Sequence, residues 1–224
     1  MLSLQQALSR LSIGSSPPCR ISGTTTNDGG CLCQNPRDRN AERASSIFDQ
    51  RHLLVLGYVW ELPFAKSLKG PGGTLLSGWS FQGIVTFASG NPFDVLQSTD
   101  GQNNDGLWER PSLVPGQKLS VSNRGPDNWF NAAAFTESVF EYGNSPRDPI
   151  VGPGKHVFDL SLGKSFRMPY NEQHTLQFRA EFFNAFNTPQ FANPDSSLGD
   201  GEFGRVTNTS TPNRELQFGL KYRF

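Results

Sequence analysis

From His156 to Phe166 the chain alternates, with Phe158, Leu160, Leu162 and Phe166 on one side of an extended backbone and Asp159, Ser161, Gly163 and Ser165 on the other. The same period runs through 173–186, where Leu176, Phe178, Ala180, Phe182 and Phe186 oppose Gln177, Arg179 and Glu181. It returns in 214–224, where Leu216, Phe218, Leu220, Tyr222 and Phe224 oppose Glu215, Gln217, Gly219, Lys221 and Arg223. A period of two marks a β-strand with one apolar and one polar face. Two earlier runs qualify. Residues 51–62 put Leu54, Leu56, Tyr58, Trp60 and Leu62 on one face before Pro63 ends the run, and 75–88 set Trp79, Phe81, Gly83, Val85 and Phe87 against Ser80, Gln82, Ile84 and Thr86. The pattern predicts an all-β chain of about five antiparallel strands, with Phe93 to Leu96 as a further extension of the second.

The segments between strands carry a second signal. Residues 14–50 are rich in Ser, Thr, Gly, Asn and Arg and read as loop, and residues 66–73 read as a turn. The stretch 97–155 shows no period, which would count against a compact soluble domain but suits a membrane barrel with long external loops. If the chain ends on the periplasmic side, the connections 187–213, 168–172, 97–155 and 63–74 fall outside, inside, outside and inside. Long and short then alternate as short periplasmic turns and long extracellular loops require. That topology sets Tyr58, Trp60, Trp79, Phe166, Tyr170, Tyr222 and Phe224 near the inner boundary of the membrane, where an aromatic girdle is expected. The organisation expected is a loop-like segment over 1–50, part of an extracellular loop of a longer parent, and barrel strands and loops over 51–224.

Composition agrees with strands and turns: Gly 23, Pro 16 and Phe 18 against Met 2, with 35% hydrophobic residues, a low share for a domain that must bury a thick core. Twenty basic side chains balance twenty acidic ones, so no net field draws nucleic acid to the chain. No run reaches the length of a transmembrane helix; mean hydropathy is −0.47, and a transmembrane strand with a polar face hardly raises that average. Residues 1–18 lack a basic region followed by an apolar one, so they read as a short helix instead of a signal peptide.

Candidate chemistry is sparse. Cys19, Cys31 and Cys33 lack the spacing of a zinc or redox motif and read as loop cysteines, a Cys19 to Cys31 disulfide being the alternative. His52, His156 and His174 lie far apart at strand starts, without metal-ligand spacing. Asp100 to Gly106 has the look of a calcium loop but places Asp105 where an EF-hand requires Gly and Pro111 where it requires Glu, which leaves only a looser ion site. No nucleophile elbow, phosphate loop or carboxylate pair is present, so no enzymatic activity and no cofactor are expected. Arg179, Glu181, Lys221 and Arg223 fall on the polar face, where a barrel would turn them to its lumen; pairing across strands is the plainer role.

Several stretches resemble a known family. Phe48-Asp49-Gln50-Arg51-His52 leading into Tyr58-Val59-Trp60-Glu61-Leu62-Pro63-Phe64, Ser89-Gly90-Asn91-Pro92-Phe93, Trp129-Phe130-Asn131 with Ala134-Phe135, Phe182-Phe183-Asn184-Ala185-Phe186-Asn187, and Phe203-Gly204-Arg205-Val206 before the last strand resemble the C-terminal barrel of Oar-like TonB-dependent transporters of Gram-negative bacteria. The resemblance covers roughly residues 35–224 and implies residence in the outer membrane, uptake of a bulky nutrient, and contact with the TonB complex only through N-terminal parts that lie outside this chain. Leu216, Phe218, Leu220, Tyr222 and Phe224 also resemble the terminal signal read by the barrel-assembly machinery, physically an open edge strand available for strand addition. Such a barrel has 22 strands around a plug, so the resemblance implies that this chain is a C-terminal piece. Outer-membrane lipid, the assembly machinery and an unidentified nutrient are the partners implied. The rival readings are a closed barrel that binds or adheres through the 97–155 loop without transport, and a soluble secreted β-sandwich of the glycan-binding kind.

Overall fold

A computed structural model describes residues 34–35, 37–38, 40–63, 71–102, 109–168 and 171–224. The helix expected near the N-terminus, the three cysteines and Tyr170 lie outside the described residues.

Five long strands, β1 (Leu53–Glu61), β2 (Trp79–Ala88), β3 (Lys155–Met168), β4 (Asn171–Phe183) and β5 (Glu215–Arg223), form one sheet. Each pairs antiparallel with its neighbour in chain order. Up to an irregularity between Arg167 and Met168, the register carries the alternation across the sheet: Tyr58, Gly83, Leu160, Phe182 and Leu216 share one row, and Trp60, Phe81, Leu162, Ala180 and Phe218 another. A shift of one residue between any pair would turn polar side chains into the apolar face, so the sequence pattern and the observed register are mutually consistent. Aromatic pairs stitch the strands together, among them Phe87 with Phe158 at 5.7 Å and Trp79 with Phe178 at 6.4 Å. Tyr58 lies over Gly83, close enough that a Cβ there would meet its ring.

Among the described residues, little covers the apolar face. Of the buried apolar side chains among the described residues, only Ala180 belongs to the long strands, whereas Phe218 and Leu220 are 66% and 70% exposed. A β-sandwich buries such a face against a second sheet; among the described residues no second sheet lies against this one. Leu216, the second residue of β5, shares a row with Tyr58, the sixth of β1, so the strands step by four residues over four strand-to-strand intervals. With a rise of about 3.3 Å per residue and a strand spacing of about 4.8 Å, one residue per interval is a tilt of about 35°, the inclination of strands in membrane barrels.

The boundaries differ in places from the pattern. β2 begins at Trp79 because residues Pro71–Leu76 form a short helix where a turn and the strand's start are expected. β4 stops at Phe183, since Asn184 takes φ +47° and leaves the strand; Phe186 therefore lies in the turn, edge-on to Phe158 at 5.1 Å. Phe93 does not extend β2 but joins Ile150 in a separate two-residue ladder.

The strand ends at Glu61, Trp79, Met168 and Asn171, with the short connections, lie at one end of the sheet, and those at Ala88, Lys155, Phe183 and Glu215, with the long ones, at the other. Trp60, Trp79, Phe166, Tyr222 and Phe224 sit at or near the short-connection ends of their strands, and Tyr58 lies further in. The described parts of the long connections fold together into a layer with its own core of Phe93, Val95, Phe130, Ala134, Phe135 and Ile150, against which Leu113, Leu198 and Phe203 pack. Short ladders tie it together, 96–97 to 197–198 in parallel and 112–113 to 135–136 antiparallel.

Candidate functional site

On its polar side the sheet curls into a trough of about 520 Å³. Ser80 and Gln82 of β2, Ser165 of β3, Gln177, Arg179 and Glu181 of β4, and Gln217, Lys221 and Arg223 of β5 line it. The four charges singled out in the sequence thus come together on one surface. Arg179 is flanked in its row by Gly163 and Gly219, so no side chain stands beside its guanidinium, which reaches Glu181 two residues along at 3.3 Å. On the polar face, Arg179, Lys221 and Arg223 against Glu181 give the trough a positive balance, and hydroxyls and amides supply neutral donors and acceptors.

One charge breaks the alternation. Lys164 shares a row with Trp79, Phe178 and Leu220, on the apolar face, yet it is only 3% exposed. Its ammonium donates to Ser77 O at 2.8 Å and sits over the rings of Trp79 and Phe166, at 5.1 and 4.6 Å. A lysine reaching toward the membrane boundary among aromatics retains partners for its charge. The place of position 164 in the period already assigned it to this face; the reason it is tolerated lies in the bend at Ser77.

The loop layer explains four of the five quoted stretches. In Phe182-Phe183-Asn184-Ala185-Phe186-Asn187, both asparagines take the left-handed conformation, at φ +47° and +51°. Asn184 Nδ2 donates to Thr188 O and Pro212 O, and Arg214 N donates to Asn187 Oδ1, which returns the chain toward β5. Phe130, Phe135 and Phe203, from three separate stretches, form a triangle of edge contacts at 5.1 to 5.9 Å. Gly90 is required because a Cβ there would lie 1.9 Å from Gly152 O.

Buried charge holds the layer to residues 34–50. Arg110 donates to Glu42 Oε1 at 2.9 Å, to Gln34 Oε1 at 2.8 Å and to Ala41 O at 3.3 Å, with both charged side chains almost wholly buried. Nearby, Asp148 N donates to Asp94 Oδ1 at 2.6 Å while Arg147 Nε lies 3.7 Å from Asp148 and 3.8 Å from Asp94. Burial pushes the Asp148 carboxyl up to about 6, and the Asp94 charge adds to the rise against the opposing pull of Arg147 and Arg110. Burial raises Asp94 as well, opposed by the Asp148 N–H and Arg147.

Residues 20–217 match the model of a family described as an outer membrane beta barrel domain. The chain belongs to that family. No curated protein and no solved structure matches it. The barrel domain resides in the outer membrane, and its uncovered apolar face, tilted strands and polar trough are those of a membrane barrel seen as an open sheet. The terminal residues Leu216, Phe218, Leu220 and Tyr222 lie on β5, the edge strand, with Phe224 just beyond its end and 92% exposed. Among the described residues no three metal-ligating side chains of the His, Cys, Asp and Glu types converge.

Proposed function

We propose that this domain is the C-terminal part of a TonB-dependent transporter and that its trough is a sector of the lumen wall, facing a plug and the path of a bulky nutrient. The observation that carries the reading is the pairing of a wide, gently curved polar wall with an ordered layer of long loops at one end only. Both edge strands, β1 and β5, run toward the short-connection end, so a second copy of the sheet would meet the first in parallel pairing. An antiparallel barrel of even strand number needs an odd number of further strands, which a longer parent supplies. In this reading the loop layer is extracellular, the short connections are periplasmic, and the domain has no catalytic role.

Two measurements test it. The reading frame upstream should encode a plug and a TonB-contacting segment, and a photo-crosslinking residue at Gln177 of the full-length parent should capture the plug while one at Phe178 captures lipid. A parent without a plug would remove the transport reading and leave a barrel that binds or adheres through its loops; crosslinks to plug from Phe178 would reverse the assignment of the lumen face.

A further inference from the structure

The geometry points to a calcium site in the loop layer, built on Glu109 and Gln102. Glu109 is 4% exposed, and among the described residues it takes part in no ion pair; the adjacent Arg110 directs its guanidinium to Glu42, Gln34 and Ala41 O. A buried carboxylate without a counter-charge is strongly disfavoured unless a cation supplies one. One of its oxygens, Oε2, accepts from Gln97 Nε2 at 2.7 Å and from Gln102 N at 3.2 Å. The other, Oε1, is buried with no hydrogen bond, and so is Oε1 of Gln102, whose own amide donates to Arg110 O at 2.8 Å.

Acceptors outnumber donors throughout this pocket. Gln97 Nε2 has two protons and three acceptors within reach, Glu109 Oε2 at 2.7 Å, Ser138 O at 3.1 Å and Thr99 O at 3.2 Å. Gln97 Oε1 takes the Ser138 N–H at 3.0 Å, which fixes the amide and leaves no way to flip it into a better balance. An excess of oxygen lone pairs beside an uncompensated carboxylate, with neither nitrogen nor sulfur ligands, suits a hard divalent cation. Calcium fits better than magnesium because it accepts neutral oxygens in irregular arrangements and keeps fewer waters. The ligands come from Gln102 and Glu109 and do not follow the EF-hand order. The site does not depend on the transport reading.

The test is calorimetric titration of the purified, folded protein with calcium chloride alone, beside thermal unfolding in calcium or in EDTA. One saturable site per chain is expected, with a dissociation constant on the order of 0.1 to 1 mM, the range of exposed extracellular sites with few charged ligands. Glu109→Gln should weaken binding at least tenfold and abolish the calcium-dependent rise in melting temperature. Gln102→Leu, which keeps the carboxylate, should weaken it severalfold, and Asp127→Asn on the surface should leave it unchanged. If Glu109→Gln does not fold, Gln102→Leu decides. No saturable binding by the native protein would overturn the proposal; native binding that both variants retain would overturn it too, by placing calcium elsewhere.

Discussion

Leu162 and Ser161 are neighbours in the middle of β3, and they differ in which side of the membrane wall they face. Leu162 lies between Phe81 and Ala180 in the apolar face; Ser161 lies between Gln82 and Glu181 on the trough side. Leu162→Arg puts a guanidinium into lipid near the bilayer midplane, at a cost of about 2 to 4 kcal/mol. No compensation is at hand: Lys164, two residues along on the same face, is itself a cation whose charge is already placed against Ser77 O and two rings. At about 1.4 kcal/mol per decade the folded-to-unfolded ratio should fall roughly 30-fold to 1,000-fold. Ser161→Arg instead puts its charge opposite Glu181, a cross-strand pair that contributes about 0.2 to 1 kcal/mol, so its net effect should stay within about 1 kcal/mol. The assay is urea unfolding of the full-length barrel in phospholipid vesicles, followed by tryptophan emission. Equal losses for the two variants, or a larger loss for Ser161→Arg, would mean that the trough is a packed core and that the assignment of faces is wrong.

Four further outcomes can be checked. The Asp148 carboxyl is raised in the folded chain, so its contribution to stability is complete below about pH 4, is lost as the pH rises through about 6, and is constant above that; with the intrinsic pH dependence of exchange divided out, hydrogen-exchange protection around Phe93, Phe130 and Ile150 should fall between those values in the native protein, and Asp148→Asn should remove that fall. Arg110→Ala leaves Glu42 buried without a counter-ion and should destabilise the loop layer by about 3 to 5 kcal/mol, whereas Arg110→Met with Glu42→Leu should cost less, by limited proteolysis. Deleting Phe224 should reduce the folded barrel recovered from the outer membrane, measured by heat-modifiable mobility, while uptake per folded barrel stays the same; lost uptake at full assembly would tie Phe224 to the transport path. With the native cysteines replaced, a cysteine at Phe140, which is 88% exposed, should be labelled on intact cells and one at Leu76 only after permeabilisation; the reverse pattern would invert the topology.

The sheet was legible in the sequence because a strand's period is two and its faces are set by that period alone. Phe178 opposite Gln177 and Arg179, or Leu220 opposite Gly219 and Lys221, needs no knowledge of neighbours to be assigned a side, and the family match agrees with a membrane barrel. Lys164 was legible in the same way as to face, but Ser77 O and the Trp79 ring that make it tolerable come from 85 to 87 positions earlier in the chain. The loop layer was not legible. Phe93, Phe130, Phe135 and Phe203 lie at no regular spacing, since an irregular backbone imposes no period, and their shared core exists only once two long connections are brought to the same end of the sheet. Burial of Glu109, and with it the surplus of acceptors around Gln97, depends on that same meeting of Gln97, Gln102 and Ser138. Local periodicity, then, decided strands and faces; which loop residues become interior, and which charges are left there without a partner, was decided by contacts between distant segments, on which local sequence has no bearing.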